Sequence, residues 1–362
     1  MGRSSIVSVL LGITLLGRTL EGSADPLTTS VPKITLIAGY DSTCSIDRQT
    51  AAVHCWGCFD ANNDCEFWKP QQISEFKGVT AMSGATAPFC VMRPGKAGGC
   101  YDSFTHVGNG APEPESSRAM PAGTIQVSSG AGHTCAVDRQ KQAWCWGPNG
   151  VLGVFGKRND DSENPDRLHL IPLRSVKSIT VGAEHTCAMT EKGVIWCWGL
   201  NEEGQTGLPA SGCVPVPTRV PQIPRMTAVE AGSRHTCSLD ANHNVWCWGE
   251  LACGSSPRKL EAPEPIVEVK VGGTVCARAE SGRIYCTAAA LEDQPSSCEF
   301  RLVPALANIV SVAVGNAHIC AATTNRDVFC WGENVVGQLG IGSRQSRAEP
   351  TLVNGVGRNT PD

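Results

Sequence analysis

Short runs of alternating apolar and polar residues recur along the chain, and most of them end at glycine or proline. Typical runs are ITLIAG (34–39), SITVGA (178–183), TAVEAG (227–232) and VSVAVG (310–315). Alternation with a period of two, bounded by turn residues, is typical of β-strands. Helical periodicity is absent from the sequence. The pattern therefore predicts an all-β protein.

Seven copies of one unit follow one another along the chain. Four copies are similar to each other, at 132–147, 184–199, 234–249 and 317–332. Three weaker copies lie at 42–57, 88–102 and 274–287. The first cysteines of successive copies lie 46 residues apart on average, and each unit holds about four short β-prone runs. Repeats of this length are typical of a propeller blade or a solenoid coil.

Two cysteines mark the second and third strands of each unit. In the fourth copy, placing Cys187 opposite Cys197 leaves a three-residue turn that ends at Gly193, and glycine suits the left-handed position of a bulged hairpin. The same register applies to the other copies, so we predict one hairpin disulfide per unit. The predicted pairs are Cys44–Cys55, Cys90–Cys100, Cys135–Cys145, Cys187–Cys197, Cys237–Cys247, Cys276–Cys286 and Cys320–Cys330.

Five cysteines lie outside these hairpins. Cys58 and Cys65 lie in one connection, and we predict a disulfide between them. Cys213, Cys253 and Cys298 follow the fourth, fifth and sixth units, and the pairs Cys213–Cys253 and Cys253–Cys298 are both open. Because the chain has 19 cysteines, at least one thiol is free, blocked or engaged in an intermolecular disulfide, through one of these three residues.

Eight of the nine tryptophans stand next to the second cysteine of a hairpin. The hairpin register places them opposite small residues, as with Thr186 opposite Trp198. Large rings facing small residues are typical of a packed interior layer, so we predict that these tryptophans form the core between neighbouring units. The exception is Trp68, which we expect in a loop.

The N-terminus has the composition of a secretory signal peptide. Residues 1–24 hold a basic Arg3, an apolar run over 6–17 and a small residue at Ala24, in the order that export signals follow. The apolar run is shorter than the ~20 residues that a membrane-spanning helix needs. We expect a mature chain over 25–362 that is secreted, or periplasmic in a bacterium, where disulfides form.

Charge argues against a nucleic-acid partner. The formal net charge is −4, from 30 basic and 34 acidic residues, so there is no basic excess to neutralise phosphates. The later sequence contains no apolar stretch long enough to cross a bilayer.

Three motifs could carry chemistry, and each has a simpler explanation. The Cys55-Trp56-Gly57-Cys58 spacing of thiol oxidoreductases is not followed by a helix, and Cys55 belongs to a hairpin pair. The Ser74-Glu75-Phe76-Lys77 spacing lacks the motifs that accompany it in acyl-enzymes. The recurring histidines are spread over different units, whereas zinc ligands cluster, so we expect structural hydrogen bonds near the axis; they are His133, His185, His235 and His318. We predict no catalytic, metal-binding or cofactor-binding residue.

Two longer segments carry a resemblance to a known family. GAEHTCAMTEKGVIWCWGLNEEGQTG (182–207) and GNAHICAATTNRDVFCWGENVVGQLG (315–340) resemble repeats of the regulator of chromosome condensation family. The resemblance covers about 33–354 and implies one domain, a seven-bladed β-propeller with about four short antiparallel strands per blade. The second and sixth units lack the Trp-Gly step of the family.

The resemblance also implies a choice among functions. The family's nuclear member is an exchange factor for a small GTPase. The export signal and paired cysteines of this chain resemble those of extracellular propellers in the same superfamily, among them an inhibitor of β-lactamases. We therefore expect a non-enzymatic module that binds or inhibits another protein. The alternatives are a carbohydrate-binding or enzymatic propeller with a site at its mouth and, by family analogy, an exchange factor.

The connections between the repeats differ in length and character, and propeller function normally lies on such connections. We expect the binding surface on one rim, with 147–172 and 199–218 as contact segments. The candidate contact residues are Phe155, Lys157, Arg158 and Trp68.

Overall fold

Seven four-stranded antiparallel sheets account for nearly all regular structure in the described chain. The computed structural model describes residues 32–58, 67–84, 89–93, 98–101, 118–147, 167–250, 254–287 and 298–359. Within each sheet the strands lie side by side in chain order. The predicted all-β, seven-bladed propeller with four strands per blade is confirmed. Within these ranges, no helix has the length and apolarity that crossing a bilayer requires.

The strand bounds follow the repeat. The first strands are β1 Ile34–Ala38, β5 Ala81–Ser83, β9 Thr124–Ser129, β13 Val176–Val181, β17 Met226–Ala231, β21 Ile266–Val271 and β25 Ile309–Val314. The second strands are β2 Ser42–Asp47, β6 Phe89–Met92, β10 Thr134–Asp138, β14 His185–Thr190, β18 His235–Asp240, β22 Val275–Ala279 and β26 His318–Thr323. The third strands are β3 Val53–Gly57, β7 Gly99–Tyr101, β11 Ala143–Trp146, β15 Ile195–Leu200, β19 Val245–Gly249, β23 Ile284–Cys286 and β27 Val328–Gly332. The fourth strands are β4 Phe67–Gln72, β8 Arg118–Ala119, β12 His169–Leu170, β16 Cys213–Arg219, β20 Gly254–Leu260, β24 Arg301–Leu302 and β28 Arg347–Leu352. Short 3₁₀ turns span Ser74–Phe76 and Gly357–Asn359.

The hairpin register is the one that the cysteines predict. Cys187 pairs with Cys197 across β14 and β15, and Gly193 in the turn has a φ of +72°. Disulfides join all seven predicted hairpin pairs, with Cα–Cα distances of 4.0–4.2 Å. In each blade a disulfide thus links the second strand to the third.

Two further cysteines take part in disulfides. Cys58 and Cys298 are each disulfide-bonded, and their partners lie outside the described residues, as do Cys65 and Cys253. Cys298 is therefore no longer a candidate for the intermolecular disulfide. Cys213 begins β16 and is half-buried.

Tryptophan packs five of the seven blades onto the preceding one. Trp248 of blade 5 lies in a cluster with Met189 and Val220 of blade 4, and Trp198 of blade 4 lies among residues of blade 3. Five such rings are buried: Trp56, Trp146, Trp198, Trp248 and Trp331. The other three rings, Trp144, Trp196 and Trp246, are only half-buried. Trp196 and Trp246 still pack against the interface clusters, as predicted.

The predicted fourth strand lies partly in residues that the sequence assigned to connecting loops. Trp68 lies in β4 rather than in the expected loop, and Pro70 lies in the same strand. A proline is tolerated there because the outer edge of the blade needs no backbone donor on one side. The variable connections predicted from the sequence therefore each contain a fourth strand as well as a loop.

Candidate functional site

Strand order brings two sets of connections to one face of the propeller. In blade 4, His185 at the start of the second strand pairs with Gly199 at the end of the third, and Gly199 pairs with Val214 near the start of the fourth. The turns between first and second strands and the connections between third and fourth strands therefore leave from the same side. We call this side the loop face and the opposite side the hairpin face.

The first strands surround a central channel of about 510 Å³. Seven glycines, one per blade, lie at the loop-face end of this channel: Gly39, Gly84, Gly130, Gly182, Gly232, Gly272 and Gly315. A Cβ atom on Gly232 would lie 2.6 Å from the carbonyl oxygen of Gly272 in the next blade, and one on Gly182 would overlap that of Gly232. Only glycine permits this approach. The N–H of Ala183 also donates to the carbonyl oxygen of Gly232 at 3.2 Å.

Histidines join neighbouring blades next to these seven glycines, which we call the glycine ring. The Nε2 atom of His133 lies 2.6 Å from Thr186 Oγ1 in the next blade, and His185 makes the same contact with Thr236 at 2.8 Å. His318 of blade 7 contacts Thr43 of blade 1 at 2.7 Å and so closes the ring. These imidazoles serve separate interfaces. Among the described residues, His, Cys, Asp and Glu form no group of three or more that could hold a metal ion.

His235 is the exception in this ring. The residue that precedes the first hairpin cysteine is threonine in blades 1, 3, 4 and 5, but Val275 stands there in blade 6. His235 lies at the interface with that blade, and its Nε2 atom has no hydrogen-bond partner. It interacts instead with the backbone of Thr274.

Burial keeps the four histidines neutral. It lowers the pKa of His133, His235 and His318 to about 4. For His185, burial together with the neighbouring His235 and His133 lowers the pKa to about 3. A charged imidazole in these sites would lose its hydration without gaining an acidic partner.

Two turns on the loop face lock one blade to the next. The carbonyl oxygen of Gln205 accepts hydrogen bonds from Thr236 Oγ1 at 2.8 Å and from Trp248 Nε1 at 3.0 Å. In blade 7, Gly340 packs against the indole of Trp56 in blade 1. Both turns contain a Gly-Gln step, at Gly204-Gln205 and Gly337-Gln338.

Buried asparagines fix the same two connections, and the sequence analysis missed them. Asn201 Nδ2 donates to Pro209 O at 2.8 Å, and its Oδ1 accepts the N–H of Thr206 at 3.1 Å. Asn334 makes equivalent contacts in blade 7, with Ser343 O and the N–H of Leu339. The signal in the sequence is a Trp-Gly-x-Asn step, present in both blades.

The predicted contact residues are only partly described. Phe155, Lys157 and Arg158, with most of 147–172, lie outside the described residues. Within 199–218, residues 201–212 form the blade 4 connection on the loop face. Trp68 is 40% exposed on the rim of blade 1, where the guanidinium of Arg344 lies 4.3 Å from its ring centroid.

The motifs set aside in the sequence have structural positions. Cys55 is bonded to Cys44 and Cys58 is in a different disulfide. Ser74 Oγ donates to the adjacent Glu75 carboxylate.

Family models and curated relatives agree with the repeats. Models described as "Regulator of chromosome condensation (RCC1) repeat" match residues 125–151, 176–205, 226–255 and 309–338, and also 192–239 and 327–361. The chain is 29% identical over 257 residues to the ultraviolet-B receptor UVR8 of Arabidopsis thaliana, a match that covers 64% of this chain and 58% of the receptor. It is 27% identical over 322 residues to the human E3 ubiquitin-protein ligase HERC2, covering 79% of this chain and 7% of the ligase. The chain thus spans less than two thirds of either relative.

Solved structures share the fold. Human WBSCR16 superimposes with a TM-score of 0.62 at 18% identity, covering 90% of this chain and 82% of that one. Yeast RCC1 (Prp20), in a structure with Kap60, gives a TM-score of 0.59 at 16% identity, covering 89% and 75%.

Removing one histidine partner should destabilise a blade interface. Thr186→Val leaves His133 Nε2 buried without a hydrogen bond, and an unsatisfied buried group costs about 1–3 kcal/mol. Thr186→Ser keeps the hydroxyl and should cost less. Denaturant unfolding with disulfides intact measures both, and equal losses for the two variants would show that the hydroxyl contributes nothing.

Acid should destabilise the propeller before its carboxylates titrate. Histidine in the unfolded chain titrates near 6.5, whereas the buried imidazoles titrate near 3–4. The unfolded state therefore binds more protons as the pH falls, so stability is complete above pH 6.5 and is lost between about 6.5 and 4. Each histidine contributes up to about 1.4 kcal/mol per pH unit. Unfolding free energies from pH 7.5 to 5.0 measure the slope, which His185→Gln should reduce by about a quarter; a flat profile contradicts this account.

Proposed function

We propose that this chain, a seven-bladed propeller of regulator of chromosome condensation repeats, is an exported, non-enzymatic module that binds or inhibits another protein through its loop face. One observation carries the proposal. The connections that differ most in length between repeats leave from the loop face, whereas the opposite face holds hairpin turns and blade-to-blade connections of only four to eight residues. Variation on one face of a repeated scaffold is typical of a binding surface.

Rigidity supports tight binding on this face. The connections of blades 4 and 7 are held by buried asparagines and by turns that pack on the next blade. A surface already fixed before association loses little conformational entropy when it binds, so more of the contact energy appears as affinity.

Export is supported by the cysteines. Seven buried hairpin disulfides are typical of proteins that fold in an oxidising compartment. The proposed location is extracellular, or periplasmic in a bacterium, with residues 1–24 as the cleaved signal.

A site at the mouth of the channel has less support. Of the channel-lining residues in the described chain, only Glu230 and Lys270 carry charge, and they pair with each other at 2.7 Å. The buried tryptophan rings lie between blades, where they offer no face to a sugar. Convergent carboxylates do not surround the channel among these residues, and Tyr40 is the one aromatic residue among them.

Site-specific crosslinking tests which face binds. Two exposed alanines, Ala210 in the blade 4 connection and Ala241 in a hairpin turn of blade 5, are each replaced by p-benzoylphenylalanine in the oxidised protein that lacks 1–24. Irradiation in the fluid that surrounds the producing cells should give a protein adduct from position 210 only. Adducts from position 241 alone, or from neither position, would contradict the proposal.

A further inference from the structure

The two faces of the propeller differ in charge. Among described residues, the loop-face turns and connections hold seven acidic and three basic residues. The turns and connections of the hairpin face, with the chain ends that flank them, hold twelve basic and six acidic residues. Among the described turns and connections, the loop face thus carries a net negative charge and the hairpin face a net positive charge.

An apolar and acidic patch lies on the loop face where blade 7 meets blade 1. Val335 and Tyr40 are the two most exposed large apolar side chains of the described chain, at 61% and 54%. The turn after β25 joins them, since Asn316 N–H donates to Tyr40 O at 3.2 Å and Glu333 N–H donates to Ala317 O at 2.8 Å. We call the four residues Tyr40, Asp41, Glu333 and Val335 the seam patch.

The two carboxylates of the seam patch repel each other. Burial and the nearby charge of Glu333 raise the pKa of Asp41. Neither carboxylate has a basic partner among the described residues. This repulsion costs stability in the free protein, and a bound cation would remove the cost.

We propose that the seam patch receives a lysine or arginine side chain of a cationic protein partner, an inference that rests on the loop face being the binding face. The carboxylates neutralise the charged head, while Tyr40 and Val335 cover the aliphatic stem and offer a ring face to the cation. A metal ion fits less well, because the described residues around Asp41 and Glu333 provide no third ligand. Apolar anchors surrounded by charge are typical of interface hot spots.

Synthetic peptides provide the probe for this patch. A labelled twelve-residue peptide of Gly, Lys and Arg should bind the oxidised protein, and the same peptide with Glu at every basic position should not. The variant with Asp41→Asn and Glu333→Gln should weaken binding at least tenfold at 50 mM salt, measured by fluorescence anisotropy. Tyr40→Ala should weaken it about fivefold and leave the salt dependence unchanged.

A second acidic pair on the same face is the matched control. Glu184→Gln with Glu299→Gln removes the same charge from two exposed loop-face positions, in blades 4 and 6, and should change affinity less than threefold. Equal effects of the two double variants would overturn the proposal, because they would show general electrostatic attraction to the loop face. Calcium binding that the seam variants abolish would also overturn it, because a metal ion would then be the ligand. If the parent protein self-associates and the seam variants do not, the occupant of the seam patch is the basic hairpin face of a second copy. That result would also overturn the proposal.

Thermal stability and partner capture distinguish a loss of folding from a loss of binding in the seam variants. Because the substitutions remove a repulsion, the seam variants should melt at or above the temperature of the parent protein. If position 210 still crosslinks the natural partner while the seam variants capture that partner unchanged, the proposal for the seam patch is wrong. The proposal that the loop face binds the partner is then still supported.

Discussion

Neighbouring blades approach each other at the propeller axis more closely than any side chain allows. Five glycines of the ring leave no room for a Cβ atom where one blade meets the carbonyl group of the next: Gly130, Gly182, Gly232, Gly272 and Gly315. This approach brings backbone donors such as Ala183 within reach of the adjacent blade. It also brings His185 and its counterparts within hydrogen-bond distance of the next blade. The disulfides hold each blade together, but the axial contacts hold the blades in a ring.

The same chemistry closes the ring between the two ends of the chain. Blade 1 and blade 7 each contain four consecutive strands, so no strand is exchanged between them. Closure depends on side chains: Ser311 Oγ accepts the N–H of Leu36 at 3.0 Å, Arg326 pairs with Asp47, and His318 contacts Thr43. The closing interface therefore resembles the others, and it can carry exposed groups such as the seam patch without losing its packing.

The sequence predicted what is repeated and local. Cysteines of one hairpin must face each other to form a disulfide, so their spacing determined the register of the second and third strands. Four strands per blade were predicted, but fourth-strand residues such as Trp68 were assigned to connecting loops, because this strand has one neighbour and little burial, as FWKPQQ in β4 shows. The histidine contacts were also predicted only in part. The His-Thr-Cys repeat was visible, but a partner about 50 residues away becomes apparent only when the blades are placed side by side. The charges of the connections could be counted in the sequence, but their common face followed only from strand order.

The most direct measurement compares two glycines under identical conditions. Gly182 belongs to the axial ring, whereas Gly212 has open space around its Cα. If the ring couples the blades, Gly182→Ala should lower the free energy of unfolding by about 1–3 kcal/mol or more, as overpacking does. Gly212→Ala should stay within about 0.5 kcal/mol of the parent protein. Guanidinium unfolding with intact disulfides measures both. Equal, small effects at the two positions would show that the blades do not depend on their contact at the axis.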